Sequence, residues 1–548
     1  MNSATELPIL EQCGSRRVRA AVRAPLAACL LAALTACGDS GSRGVQSRGP
    51  ISDQGSTRQA GNVIFVHPDG TGLNHWTAGR AFWKGPDGEL SWDRLPEVAI
   101  YRGHMADDLV GTSNGGATSH AFGVKVSAAG SYGRDGKGEE ARTVRAASGY
   151  TGSVMREAAM AGYPVGVVND GDLAEPGTGA FLAEVPSRYD QAAIAEQILF
   201  GRPGHSDHPP AVVLGGGERY LLPEGTPVCG RRIEPDCAVH LDPVTGEGPM
   251  RQDGRNLIAE AMDSGWTVIR TRGEFDQLLR KVARREDFRP RVLGLFAADD
   301  LFNDAPEEQL VTAGLVDPSR PADDPRGRLV VWGGPPGSPS ADPPTAREMT
   351  RLALMLLDRE ARAAERPFFL VVEIESTDNL ANANNAIGAL RALGRADAVI
   401  GEARKAVDRD PATLLLVAAD SDAGGLQIVS PPLQDDGRVT GLNGNPTDRT
   451  VDRQLFAVDG IEGRASRPFE ARPDQAGHRS RFAIAWAGER DVAGGVLARA
   501  AGLNSELLRT DYGARLDNTQ VYELIYQTLF ASKPRGPEAG GPGRAARD

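Results

Sequence analysis

The chain has 548 residues, 40% of them hydrophobic, enough for one large catalytic domain with insertions or for two or three domains. A formal charge of -12 argues against gripping nucleic acid by its phosphate backbone, so no nucleic-acid partner is expected. No apolar run of about 18 residues occurs in the body of the chain, which excludes a spanning helix there.

In chain order, the first segment is not fold. Arg16, Arg17, Arg19 and Arg23 precede the apolar run APLAACLLAALTAC, the pattern of a secretory signal over residues 1–36. It ends in Leu34-Thr35-Ala36-Cys37, which resembles the lipobox of bacterial lipoproteins. That resemblance implies export and a membrane anchor through a lipidated Cys37. Gly38 after the cysteine favours the periplasmic face of the outer membrane or the cell surface. The alternative is an ordinary cleaved signal with a chance cysteine. Residues 37–60 are Gly/Ser-rich and read as a flexible tether, and 533–548 read as a disordered tail.

Between these ends, short apolar runs alternate with helical patterns. NVIFVH (62–67) is the first predicted strand. GTSNGGATSHAFGVK (111–125) packs small residues around Ser113 ahead of a predicted helix, as either an N-cap turn or a nucleophile at a helix start. PVGVVN (164–169), AVVLGG (211–216), WTVIR (266–270), RVLGLFA (291–297), PFFLVVEIE (367–375), TLLLVAAD (413–420) and RFAIAWAG (481–488) complete the predicted strands. Helical patterns span 345–365 and 385–410. Near-continuous apolar strands separated by helices predict a three-layer αβα sandwich around a large, mostly parallel sheet. Insertions fall near 218–255 and 300–345. Cys229 and Cys237, the two cysteines of the body, most simply form one local disulfide in an exported chain.

Ligands gather at the carboxyl ends of strands in such sheets. Asp69 follows the first strand, and Asp170 and Glu175 follow the 164–169 strand. Glu373, Asp378 and Asn382 follow the next long one, and Asp420 follows TLLLVAA. Each acid alone reads as a turn or a cap. Several at one sheet edge repel unless cations neutralise them.

At this point the chain resembles the alkaline phosphatases. NVIFVHPDGTG is similar to that family's first strand, whose Asp, here Asp69, bridges metals. TSNGGATSHAFGVK resembles its nucleophile segment, and the shared AT and GVK place Ser113 on the nucleophile. AEVPSRYD resembles the segment of the phosphate-binding arginine, giving Arg188. AGHRSRFAIAWAG resembles the late metal-ligand segment, giving His478. The resemblance covers roughly 61–532. It implies a phosphate ester substrate, a phosphoserine at Ser113 followed by its hydrolysis, divalent metals and possible homodimers. It also implies a third metal position from Asp69, Glu373 and the EPGT segment (Glu175, Thr178).

The departures are as informative. The family's Asp-then-His pair reads Asp378 and Asn382. Its Ala-Asp-His reads Ala419-Asp420-Ser421. The Asp before its serine is Thr112, and Asn379 stands at its position near the phosphate. Oxygen ligands suit magnesium, calcium or manganese better than zinc, so the expectation is magnesium with zinc or calcium. Asp422 is either a replacement ligand or an Asx-turn. His67 either donates to the site or is a hydrogen-bonded strand-end histidine. His205 and His208 read as a solvated loop. The function expected is a metal-dependent phosphomonoesterase. The alternatives are a diesterase or other oxyanion-ester hydrolase of the same superfamily, and a degenerate member that binds phosphate without turnover.

Overall fold

Along strand β1 (Asn62–Pro68), Val63 and Phe65 enter one hydrophobic core while Ile64 and Val66 enter another. Successive side chains of a strand point to opposite faces, so this strand is covered on both. The same alternation runs through the computed structural model, which describes residues 59–242, 245–303, 305–312, 342–431, 437–438, 442–443 and 456–534. The predicted signal, the tether up to 58, the tail from 535 and most of the 300–345 insertion lie outside the described residues.

The other strands of the main sheet are β2 (Glu97–Arg102), β3 (Val165–Asp172), β4 (Val212–Gly216), β5 (Thr267–Ile269), β6 (Val292–Leu295), β7 (Phe369–Ile374), β8 (Thr413–Val417), β9 (Leu497–Gly502) and β10 (Arg515–Asp517). Among the described residues the sheet has ten strands in the order β10-β2-β9-β8-β1-β7-β3-β4-β6-β5. Only β9 runs antiparallel to its neighbours. Seven of the eight predicted strands belong here.

Helices α1 (Leu73–Trp83), α2 (Ser113–Phe122), α3 (Pro176–Gly179), α4 (Ala346–Ala364), α5 (Ser376–Asn382), α6 (Ala386–Arg409) and α7 (Asn518–Phe530) position the site. Helices α1, α4 and α6 bury apolar side chains in one core, and α2 and α7 in the other. The result is the predicted three-layer αβα arrangement. Both long predicted helices form where their caps allow. Thr345 and Glu348 make reciprocal bonds at the start of α4, and Asn385 accepts from the Gly388 N–H at the start of α6.

The eighth predicted strand, Arg481–Ala485, belongs elsewhere. It pairs antiparallel with Gln427–Val429, Phe456–Gly460 and Phe469–Glu470 in a smaller sheet. Its Phe482 and Ile484 join the core under α1, while Ala483 and Ala485 pack with Val458. In the 218–255 insertion Cys229 and Cys237 are disulfide-bonded. His240, nearby in sequence, turns its Nε2 to the carbonyls of Arg270 and Leu295. Among the described residues no helix is long and apolar enough to cross a membrane.

Candidate active site

The register of the sheet sets the first line of the site. His67 of β1 and Asn169 of β3 both pair with Glu373 of β7, so the three lie side by side across neighbouring strands. They share the face on which α2 packs. Glu373 is completely buried and takes four donors: the N–H of Gly177, the N–H and hydroxyl of Thr178, and the amide of Asn169 at 2.6 Å. Thr178 therefore serves Glu373, through the first turn of α3. Gly177 is required there, since a Cβ would lie 2.1 Å from the Glu373 carboxylate.

Just beyond the strand, Asp69 accepts from the Gly70 N–H at 2.8 Å. Gly70 has φ 62°, and a Cβ there would come within 2.4 Å of the Asp378 carboxylate. The chain thus turns tightly enough to bring Asp69 and Asp378 together. Asp69, Glu375 and Asp378 each offer an oxygen within 4.8 Å of the others. Asp378 in turn accepts from the Asn382 amide, one helical turn later on α5, at 3.0 and 3.2 Å. The same amide nitrogen donates to Asp491 at 3.0 Å, and the Asn382 oxygen accepts from the Gly424 N–H.

Asp420 follows β8 and is 1% exposed. No hydrogen-bond donor among the described residues reaches either of its oxygens, Oδ2 of Asp69, or the hydroxyl of Ser421. The small residues around Ser113 now have a reason. A Cβ on Gly116 would meet the Asp420 side chain at 2.7 Å, and one on Gly111 would meet its carbonyl at 2.4 Å. Ser113 lies three residues before Gly116, on the same side of α2. It is the first residue of that helix, and Thr112 is the N-cap, its hydroxyl accepting from the Gly115 N–H. Arg188 donates to Glu175 at 2.7 Å and is 30% exposed.

The electrostatics follow from crowding. Burial pushes Asp378, Glu375 and Asp420 well above the ordinary carboxylate range, and their acidic neighbours push the same way. Burial raises Asp491, and it raises Glu373 to about 8 against the pull of His67. Burial also works upward on Asp69, yet Asp420 and His67 hold it low. Asp69, Glu175, Glu373, Glu375, Asp378, Asp420 and Asp491 bring seven carboxyl groups into this region. Arg188 faces them as a guanidinium that donates to Glu175, and the His67 ring lies 3.3 Å from Asp69.

Two expectations need correction. His478 is not brought to the cluster. The 474–478 loop closes on itself, with the His478 N–H bonding Asp474, which leaves the side chain 80% exposed beside that acid. Asn382 offers the cluster its amide hydrogens rather than its oxygen, which Gly424 occupies. Asp422, left open by sequence, is buried against Gly72 and Gly494 and faces His75 at 3.3 Å. His67 makes both contacts considered for it: Nδ1 lies 2.8 Å from the Ala418 carbonyl and Nε2 3.3 Å from Asp69. Glu375 and Asp491 escaped the sequence reading. Glu375 was within reach of it, being two residues after Glu373 at the end of the same strand. Asp491 lies in a loop with no pattern to mark it.

A family model described as alkaline phosphatase matches residues 60–440. The chain belongs to the alkaline phosphatase family. Among relatives of this family member, streptomycin-6-phosphate phosphatase of Streptomyces griseus is 28% identical over 387 residues, 66% of this chain and 73% of that protein. The repressible alkaline phosphatase of Saccharomyces cerevisiae is 25% identical over 373 residues, 67% of this chain but only 55% of its own length. The solved alkaline phosphatase of Thermus thermophilus superposes with a TM-score of 0.57 at 18% identity, covering 90% of this chain and 97% of that one. That likeness is one of fold.

Proposed function

We propose that this family member is an exported, metal-dependent phosphomonoesterase acting through a phosphoserine at Ser113. The observation that carries the reading is the convergence of Asp69, Asp378 and Asp420 beside the helix start that bears Ser113. Members of the family bind divalent metals. Buried carboxylate oxygens without donors fit such ions. Asp69, Asp378, Asp420, Ser421 and Asp491 would hold them, magnesium with zinc or calcium being the expected set. When bound they supply Lewis-acid stabilisation of charge on the attacking and leaving oxygens.

The chain's own residues do the rest. The free N–H groups at the start of α2 favour an anionic phosphate. Arg188, steadied by Glu175, offers two parallel donors to phosphate oxygens. Ser113 Oγ attacks phosphorus opposite the leaving group, so the Oγ–P bond forms as the ester bond breaks, and the proton lost from the serine hydroxyl is balanced by the one the departing alcohol takes up. Water then cleaves the phosphoserine and restores the hydroxyl. Export and a lipid anchor at Cys37 are supported by the N-terminal sequence, and export also by the Cys229–Cys237 disulfide.

One observation favours a second reading, phosphate binding without turnover: Asn382 turns hydrogen-bond donors to the cluster where a ligand atom is expected. Chelator-stripped protein assayed on an aryl phosphate and on a diester, with magnesium, manganese, calcium or zinc restored, separates the two. Monoester turnover that returns with metal is expected. Failure of every metal would leave phosphate binding as the function, and a preference for the diester would reassign the substrate class.

A further inference from the structure

His67 was not among the expected metal ligands, and the position built from Asp69 and Glu373 was expected to offer oxygen alone. The geometry around the ring differs from that expectation. Nδ1 lies 2.8 Å from the Ala418 carbonyl, which can only accept, so Nδ1 carries a proton. The other nitrogen, Nε2, is completely buried and has no hydrogen-bond partner among the described residues. It faces Asp69 Oδ1 at 3.3 Å and, with Asp69 and Glu373, offers one of three ligand atoms that all lie within 4.8 Å of one another.

We propose that His67 is a nitrogen ligand for a divalent cation shared with Asp69 and Glu373. Three features of the structure support it. A charge-assisted hydrogen bond between imidazolium and carboxylate would close to about 2.7–2.9 Å, shorter than the separation present. Two ligand atoms each about 2.1 Å from a common ion stand roughly 3.0–3.4 Å apart, for octahedral to tetrahedral angles, which brackets the separation present. The Nδ1 contact with a backbone carbonyl is the brace that fixes tautomer and ring orientation in metal-binding histidines. Space is kept for this approach by Gly177, where a Cβ would lie 2.5 Å from the His67 ring and 2.1 Å from Glu373. Strand register does the remaining alignment, since His67 and Glu373 are directly paired neighbours.

The consequence is a redistribution of ligand chemistry. The Asp378, Asn382 and Asp491 group is oxygen and amide throughout. The Asp69–Glu373 position gains the imidazole, so it takes a borderline cation such as zinc in preference to magnesium or calcium. The inference deepens the proposed function by naming the ligand set, and it does not depend on turnover.

The test is spectroscopic. Stripped protein with every site saturated by Mn²⁺ is examined by pulsed electron paramagnetic resonance. Nitrogen-14 modulation from a bound imidazole is expected in the wild type and is expected to vanish in His67→Gln, with zinc affinity by calorimetry falling at least about tenfold. Labelling the wild type with ¹⁵N-histidine should convert the signal to that of ¹⁵N, which needs no variant to fold. Absence of histidine coupling in the wild type, or its survival unchanged in a folded His67→Gln, overturns the assignment. Coupling present in a protein that hydrolyses no phosphate ester would instead leave the ligand intact and defeat the phosphatase reading.

Discussion

Gly116 of α2 lies against the side chain of Asp420, so close that a β-carbon on the glycine would sit 2.7 Å from the β-carbon of the aspartate. Ordinary helix energetics favour alanine over glycine by roughly 1 kcal/mol at such a position. The contact opposes that gain and would push α2, with Ser113 at its start, away from the sheet edge. Gly116→Ala is expected to lower kcat/KM by about 100-fold without a matching drop in melting temperature. Steady-state kinetics and thermal unfolding on one preparation check it. Wild-type kinetics in the variant would mean that the distance between Ser113 and Asp420 is not critical.

Ser113 is 9% exposed, and the cap of its helix is supplied by Thr112 rather than by Ser113. Ser113→Ala should therefore leave stability within about 0.5 kcal/mol while abolishing phosphate release. Mass spectrometry of rapidly quenched wild-type protein should find phosphate on Ser113. Phosphate on Thr112, or release by the alanine variant, would move the nucleophile.

How much of this could be read from sequence depends on burial. The eight apolar runs all form strands because a strand covered on both faces must be apolar along its length. Strand β2 escaped notice because Val98 and Ile100 are 40% and 61% exposed, so its pattern is broken. Strand β9, ARAAG at its core, has the composition of a helix, and β10 is three residues long. In the site, Asp69, Glu373, Asp378 and Asp420 were legible because each lies at or within a few residues of the carboxyl end of a strand and the sheet brings those ends together. Asp491 depends on a long loop folding back to Asn382, and no local pattern encodes that. His478 was misplaced for the converse reason. Its motif matched, but its loop is closed by the local Asp474 turn.

Asp378 and Asp491 converge on one amide nitrogen of Asn382. In chelated protein burial and each other's presence oppose ionisation of the two carboxyls, so at neutral pH Asp491→Asn should stabilise the fold by about 1 kcal/mol. With divalent cation saturating, the same change should cost about tenfold or more in turnover, because one anionic ligand is gone. Denaturant unfolding with and without chelator, alongside kinetics, reads both signs. Equal effects in the two conditions would remove Asp491 from the cation site.

Away from the site, Asp459 in the smaller sheet is 1% exposed and accepts a hydrogen bond from the Trp486 indole. Burial raises its pKa from 3.8 to about 7, against the Trp486 bond, with Glu308 adding to the rise. Between those two values the folded chain keeps a proton that the unfolded chain has released. Stability therefore falls as pH rises through this window, by at most about 1.4 kcal/mol per pH unit for one proton. Its full contribution is present only below the unfolded value. Asp459→Asn keeps an oxygen for Trp486 and removes the titration. The variant should gain on the wild type steadily from about pH 4 to pH 7, and the difference should level off above that. Taking the difference cancels the titration of the active-site carboxyls, which are unchanged between the two proteins. A stability gap that is flat across the window would mean that Asp459 does not hold its proton in the folded state.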